Sequence, residues 1–415
     1  MIFSFGYGTG SRSASVPEVN LLGDLHMNPA APERTGQEAV GYALENPIGL
    51  ARLSEIVPKS AKIAIVTSDI SRPCPSWDIL PPLLAELERG GVDLADVTLV
   101  FGLGSHRHQT EAEMRHLAGP AFDRIRCVDS GCNDCIRMGV TGRGTPVDIT
   151  RVVAEAGFRI CLGNVEYHYF AGYSGGAKAI MPGVSSRDAI QANHRMMVQN
   201  EACAGKLEGN PLRMDIEEAG RICGIHYIVN VVLDEHKQII FAAAGDATAA
   251  HRAGCRYLDT LYRKPIPQRA DIVLVSQGGA PKDLNLYQTQ KALDNAKHAV
   301  RPGGIIILIG SCKEGLGEKC FERWIQEAKC SHDLIDRVQT HFELRGHKAA
   351  AIAMVLENAR IFLVSEMDPD LVRKYYLEPY TSAQQALDDA FAALGPYTTV
   401  LAMPYGGSTL PIVEQ

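Results

Sequence analysis

Four short stretches of the 415-residue sequence place acid, base or anion-binding groups within a few residues of one another. The first, Thr67-Ser-Asp69-Ile-Ser-Arg72-Pro73, sets a carboxylate and a guanidinium three residues apart on a turn, suited to a ribose hydroxyl and a substrate carboxylate. Read blandly, it is a turn with a local ion pair. The second, Gly102-Leu-Gly-Ser-His106-Arg107-His108-Gln-Thr110, offers imidazoles, the side chains that titrate nearest neutrality. Without company, loop histidines are commonly incidental. The third and densest runs Asn164-Val-Glu166-Tyr-His168-Tyr-Phe-Ala-Gly172-Tyr-Ser174-Gly175-Gly176-Ala-Lys178. Glycine backbone flanked by Ser and Lys suits a phosphate, because amides without side chains converge on its oxygens. The Walker spacing is absent, and tight packing is the rival explanation for the glycines. His194 adds an imidazole on an expected helix from Arg187 to Gln199. The fourth, Asn285-Leu-Tyr287-Gln288-Thr-Gln-Lys291, puts Gln288 and Lys291 on one helix face, able either to grip a carboxylate or simply to meet solvent.

Such residues need a frame, and the sequence predicts an α/β one. Short apolar runs at residues 62–67, 97–101, 158–162, 271–275, 304–309 and 360–364 read as buried parallel strands. Amphipathic stretches such as Ile79 to Glu88, Glu111 to Leu117 and Gln288 to Val300 supply crossover helices. Thr110 with Glu113 three residues on marks a helix start. Two prolines in Arg263-Lys-Pro-Ile-Pro-Gln-Arg269 suggest a linker. The expected organisation is therefore two domains, each a mostly parallel sheet flanked by helices, with the active site in the cleft between them. Residues 1–263 form the cofactor-binding and catalytic domain, joined by a return of residues 396–415, and residues 264–395 form a Rossmann-like substrate-clamping domain.

Composition narrows the function. Hydrophobic residues at 46% and charged residues at 21% describe a folded chain, and a net charge of −7 without basic runs argues against a nucleic-acid partner. Eleven cysteines, an odd number without regular spacing, fit reduced thiols and a cytoplasmic location. Neither a secretory leader nor a membrane span is expected.

In their order from Asp69 to Lys291, these motifs resemble the nickel-pincer lactate racemase family: Asp69-x-x-Arg72-Pro73, Ser105-His106-Arg107, His168-x3-Gly172-Tyr-Ser-Gly-Gly-x-Lys178, His194 sixteen residues further on, and Tyr287-Gln288-x-x-Lys291. Singly each is weak, and jointly they are specific. In that family nickel is held by pyridinium-3,5-bisthiocarboxylic acid mononucleotide, through two sulfurs and a ring carbon, and a histidine completes the coordination. The resemblance implies that His194 is this metal ligand and that Lys178 tethers the cofactor covalently. It also implies that Ser174, Gly175 and Gly176 lie near the phosphate, and Asp69 near the ribose or ring. His106 and His168 match the acid/base pair, while Arg72, Gln288 and Lys291 match the holders of the substrate carboxylate, with Tyr287 beside them. The implied activity is that of an isomerase, a racemase or epimerase of a small 2-hydroxy acid. It would act by proton-coupled hydride transfer through a 2-keto acid, because the carbon-bound hydrogen is too weakly acidic for simple abstraction. Proteins that build the cofactor and insert nickel are implied as transient partners.

The pattern departs from the family where an aromatic wall is expected against a small methyl group. That region reads Leu344-Arg345-Gly346-His347-Lys348-Ala349, and a pocket opened by the glycine would take a substrate larger or more polar than lactate. Three rival readings stand beside the resemblance. Cys127, Cys132 and Cys135 could bind zinc or an iron–sulfur cluster, or form an ordinary reduced segment. The strand ending at Ile309, followed by Gly310, Gly315 and Gly317, could serve an NAD-dependent 2-hydroxy acid dehydrogenase, although the glycine spacing is poor. A non-catalytic nickel- or cofactor-binding protein is the third.

Overall fold

The computed structural model describes residues 1–343 and 345–414. The strands of its two six-stranded sheets are, in chain order, β1 (Leu21–Asp24), β2 (Ile63–Ser68), β3 (Val97–Gly102), β4 (Arg126–Asp129), β5 (Phe158–Asn164), β6 (Tyr227–Leu233), β7 (Ile239–Gly245), β8 (Ala270–Ser276), β9 (Val300–Ile309), β10 (Ala359–Val364), β11 (Glu378–Tyr380) and β12 (Val400–Met403). The chain divides into two compact units, Pro29–Thr260 and Met1–Asn28 with Leu261–Gln415. Both are α/β.

In the unit of residues 29–260 the sheet order is β7-β6-β5-β2-β3-β4. The β6–β7 pair is antiparallel and the other pairs are parallel, with Ile63 beside both Val97 and Phe158. Central strands are apolar almost throughout because helices cover both faces. Helix α1 (Ser76–Arg89) lays Ile79, Leu80, Leu83, Leu84 and Leu87 against Ile63, Ile65 and Leu99, a stripe at helical spacing. Helix α2 (Glu111–Ala118) begins in the capping box expected from Thr110: its hydroxyl accepts from Glu113 N at 3.2 Å, and the Glu113 carboxylate accepts from Thr110 N at 2.8 Å. Strand order reverses between β2 and β5. Ligands in open parallel sheets bind beyond the carboxyl ends of the strands at such a point, and Asp69, His106 and the 164–178 segment follow β2, β3 and β5.

The second unit has a wholly parallel sheet, β11-β10-β9-β8-β12-β1. A hairpin of Ile2–Tyr7 and Gly10–Ser15 buries Phe3, Phe5 and Tyr7 with Ile272 and Ile305. The partition departs from the expected one at both ends of the chain. Residues 396–415 do not return to the first unit: β12 pairs with β8, Val400 beside Ile272, and with β1, Val400 beside Leu21. Residues 1–28 belong to the second unit as well. β12 is buried along its whole length and needs a neighbour on each side. The strand that supplies its outer edge has four residues, too few for periodicity to reveal. Among the described residues no helix is long and apolar enough to cross a membrane.

Candidate active site

Asp69 and His106 leave the ends of adjacent strands and meet. His106 Nδ1 lies 2.6 Å from Asp69 Oδ2, while the hydroxyl and amide of Ser71 hold Asp69 Oδ1, the amide at 2.7 Å. Burial by itself would raise the Asp69 carboxyl, but the bonds from His106 and Ser71 outweigh it and hold the group below the usual carboxylate range. An imidazole that gives its Nδ1 proton to a carboxylate carries its lone pair on Nε2, the form of a general base. Gln109 ties the two loops together, accepting from Ile70 N at 2.8 Å and giving its own amide N–H to Asp129 Oδ2 at 2.9 Å. Asp69 was expected near a ribose or ring; its carboxylate is engaged by Ser71 and His106.

His168 has the opposite setting. It stands in a small antiparallel hairpin, opposite Gly172, and its Nδ1 accepts from Ala171 N at 3.3 Å. The neutral ring then carries its proton on Nε2. Gly172 is required here: its φ is +75°, and a Cβ would fall 2.1 Å from Lys206 O.

Phe170, which sequence reasoning passed over, gathers the neighbouring groups. Its ring lies 4.4 Å from that of His168 and 5.0 Å from that of His194, both edge to face, and Lys178 Nζ is 5.8 Å from its centroid. His194 closes helix α3 (Arg187–His194), with Nδ1 3.1 Å from Asn193 Oδ1. Asn193 is oriented by Asp215, whose carboxylate accepts its side-chain N–H at 2.8 Å. The amide oxygen therefore faces the imidazole, and the His194 lone pair is on Nε2, as a metal requires. Among the described residues no group of three or more His, Cys, Asp or Glu side chains is placed to hold a metal by itself. The residue present, His194 with its lone pair on Nε2, fits a metal that takes a single imidazole from the protein. Lys178 is half-buried, and burial, then Arg72 and Arg213, push its ammonium down to about 7, against the pull of Glu166. Exposed Arg72 bonds through its amide to Asp69 O at 3.1 Å.

In the glycine loop the amides of Ser174 and Gly176 are bonded within the protein. Gly176 N donates to Asn230 Oδ1 at 2.8 Å, Ser174 N to Glu166 O at 2.8 Å, and the Ser174 hydroxyl bridges Asn164 O and Glu166 N. A Cβ on Gly175 would meet Asn230 Oδ1 at 2.8 Å, and one on Gly176 would meet Arg213 and His251 at 2.9 Å. Both glycines are closely packed. The amides of Ser174 and Gly176 are not turned out towards a phosphate.

In the second unit, Tyr287 and Gln288 lie on the turn Leu286–Thr289 and exposed Lys291 opens helix α4 (Lys291–Ala299). Asn285 caps the turn through Gln288 N at 3.1 Å. Lys348 is 8% exposed, with Nζ 3.1 Å from Tyr287 O and 3.7 Å from the centroid of its ring. Beneath them, burial raises the Asp294 carboxyl to about 6 despite Lys297, Lys348 and Lys291. Gly346 opens no pocket, since its Cβ would lie 2.4 Å from the buried ring of Trp324. Leu344 lies outside the described residues.

In the turn that precedes the helix Lys319–Glu327, Gly315 O and Leu316 O receive the amides of Leu286 and Tyr287, at 2.9 and 3.1 Å, and a Cβ on Gly317 would meet Asn285, so this turn is packed against the chain. Cys127 packs against the core, whereas the Cys135 thiol donates to Gly131 O at 3.4 Å. All eleven cysteines are free thiols.

Two imidazoles in opposite tautomers, a lysine of lowered basicity and a metal-competent histidine, at the switch point of a parallel sheet, describe an α/β enzyme of acid–base chemistry. Comparison with known proteins gives the family. The family model described as the lactate racemase N-terminal domain matches residues 7–205, and that of the lactate racemase C-terminal domain matches residues 266–410. The lactate racemases of Thermoanaerobacterium thermosaccharolyticum and Lactiplantibacillus plantarum are each 31% identical to the chain, over 97% and 96% of it and 97% of their own lengths. The fold superimposes on the lactate racemase apoprotein of T. thermosaccharolyticum with a TM-score of 0.89, 29% identity and full coverage of both chains. A Thermotoga maritima protein shares the fold alone, at a TM-score of 0.64 and 17% identity over 93% of this chain and 100% of its own. The chain belongs to the lactate racemase family and is a racemase, an isomerase.

Proposed function

We propose that this chain racemises or epimerises a small 2-hydroxy acid with a nickel-pincer nucleotide, and that the pair His106 and His168 carries the proton transfers. The observation that supports this reading most directly is the opposite setting of the two imidazoles: His106 has its lone pair on Nε2, whereas His168 has its proton there. A racemase needs such a pair, because each enantiomer presents its hydroxyl to the opposite side. His106 takes the hydroxyl proton of one enantiomer, Asp69 stabilises the resulting imidazolium, and protonated His168 gives a proton to the carbonyl oxygen of the 2-keto acid as hydride returns to its other face. For the other enantiomer the roles exchange. The bound cofactor supplies the hydride acceptor and donor. His194 Nε2 would ligate nickel, for which an imidazole nitrogen is a suitable donor. Lys178 would hold the nucleotide covalently.

For the substrate carboxylate we assign Arg72, Gln288 and Lys291, with Tyr287 beside them, on the resemblance of their motifs. Lactate is the substrate named for the relatives. A 2-hydroxy acid larger or more polar than lactate is the alternative, on the absence of an aromatic wall in the motif at residues 344–349. Cofactor-building and nickel-inserting proteins as transient partners, and a cytoplasmic location suited to free thiols, complete the reading.

The test is nickel content and racemisation of protein co-produced with the cofactor's biosynthetic enzymes. His194→Ala should lose nickel, whereas His106→Ala and His168→Ala should keep it and lose turnover. Nickel lost from all three alike, or none in folded wild type, would sink the reading. A panel of lactate, malate, gluconate and phenyllactate decides the substrate class, and a strong preference for lactate would reject the larger one.

A further inference from the structure

The hairpin that bears His168 is too small to hold itself. It comprises Tyr167–His168 and Gly172–Tyr173, with Tyr167 opposite Tyr173 and His168 opposite Gly172. An isolated pair of strands is marginal in water even at ordinary length, so two residues a side need an anchor outside the hairpin. Residues directly opposite one another project from one face, and the next residue along a strand projects from the other. The two tyrosines therefore share a face, their ring centroids 5.3 Å apart, and His168 stands on the reverse.

The anchor is a carboxylate on helix α5 (Ala249–Tyr262). Asp259 Oδ1 accepts from the Tyr167 hydroxyl at 2.8 Å and from the Tyr173 hydroxyl at 2.7 Å. One oxygen thus joins both strands, from 92 and 86 residues away along the chain. Hydroxyl bonds to a carboxylate are stronger than those between neutral groups, and Tyr173 is 2% exposed, so little water competes for its bond. Two turns earlier on the same helix, His251 Nδ1 lies 3.0 Å from Arg213 Nη2, and Arg213 Nη1 donates to Tyr173 O at 3.3 Å. That contact fixes the backbone of one strand, whereas the Asp259 oxygen ties the two strands together.

We propose that Asp259 is a positioning residue of His168, a carboxylate that fastens the tyrosine face of the hairpin to helix α5 and so fixes the place and tautomer of the imidazole on the other face. The link to the imidazole is the turn, where Ala171 N donates to His168 Nδ1 at 3.3 Å. That long bond holds only while the two strands stay closed, and the proton stays on Nε2 only while it holds. A reacting group displaced by about 1 Å loses on the order of 10²-fold in rate. The proposal rests on His168 as one of the acid–base pair.

The experiment pairs turnover of the nickel-loaded enzyme with imidazole NMR of the full-length chain, isotope-labelled in its histidines and assigned with His168→Gln. Asp259→Ala should lower kcat by about 10- to 100-fold with nickel content unchanged, and Asp259→Asn, whose amide oxygen still accepts both hydroxyls, should regain most of it. In Asp259→Ala the His168 signals should leave the Nε2–H tautomer, while those of His106, held by Asp69, stay in place. Tyr167→Phe removes one of the two bonds and should produce a smaller change of the same kind; added to Asp259→Ala it should change nothing more. This milder variant also decides the matter if Asp259→Ala fails to fold. Unmoved His168 signals in folded Asp259→Ala, with or without a fall in turnover, overturn the proposal, as do equal shifts in His106 and His168 or fully additive losses. Any of these leaves the proposed function standing while His168→Gln is inactive. His168 signals that move as expected, in a protein whose His168→Gln variant still racemises, support the positioning role while the acid–base assignment fails.

Discussion

Asp69 Oδ2 and His106 Nδ1 stand 2.6 Å apart although 37 residues separate them along the chain. They meet because β2 and β3 are parallel neighbours in register, Ser68 beside Gly102, so that the turns after both strands open at the same end of the sheet. The carboxylate is 3% exposed, a position where it fixes one tautomer of the imidazole and stabilises its protonated form.

Replacing that carboxylate by an amide removes the charge and unsettles the tautomer while keeping the shape. Asp69→Asn should lower kcat by ~10²–10⁴-fold with nickel content unchanged. Chiral chromatography of the product, beside metal analysis, checks this. Wild-type turnover in the variant would remove Asp69 from the mechanism.

Nickel retention should depend on residues that never touch the metal. Asn193 presents its oxygen to His194 only because Asp215 receives its N–H. Asn193→Ala and Asp215→Asn should each weaken nickel binding by about 10- to 100-fold, the usual cost of losing an outer partner of a metal-bound histidine. Competition with a chelator measures it, and undiminished affinity in both would separate this chain of bonds from the metal.

The hairpin bearing His168 tolerates no side chain at Gly172. With φ at +75° and Lys206 O 2.1 Å from the missing Cβ, Gly172→Ala should cost about 1–3 kcal/mol. Turnover should fall more than thermal stability does, because the displaced segment carries the acid. An unaltered Tm would show that the loop yields freely.

Acid stability has a source remote from the site. Glu86 is buried and receives Arg52 Nη2 at 2.9 Å, the Ser54 hydroxyl at 2.6 Å and Arg89. Burial alone would raise its carboxyl, yet the bonds from Arg52 and Ser54 hold it below the usual range. A carboxyl depressed on folding stabilises the protein above its unfolded pKa of about 4.3, and this contribution disappears as pH falls through the lower folded value. Glu86→Ala leaves Arg52 without this partner and should lower stability at neutral pH, with less loss of stability between neutral and acid pH than in wild type. Denaturant unfolding at both pH values tests it, and equal acid dependence would assign the effect elsewhere.

The sequence by itself determined the α/β class, the main buried strands, the Thr110 helix start and the residue types of the site. Each rests on local periodicity or on motifs a few residues long, and these survive in one dimension. Only the tertiary structure decided where the short strands β1 and β12 belong, since four residues hold too little pattern to choose a sheet. It alone joined Asp69 to His106, Asn193 to Asp215 and Arg213 to His251, pairs far apart in sequence that parallel strands and crossing helices bring within a hydrogen bond. It also changed the meaning of Gly175, Gly176 and Gly346, because a glycine reads alike whether a ligand or a neighbouring side chain fills the space beside it.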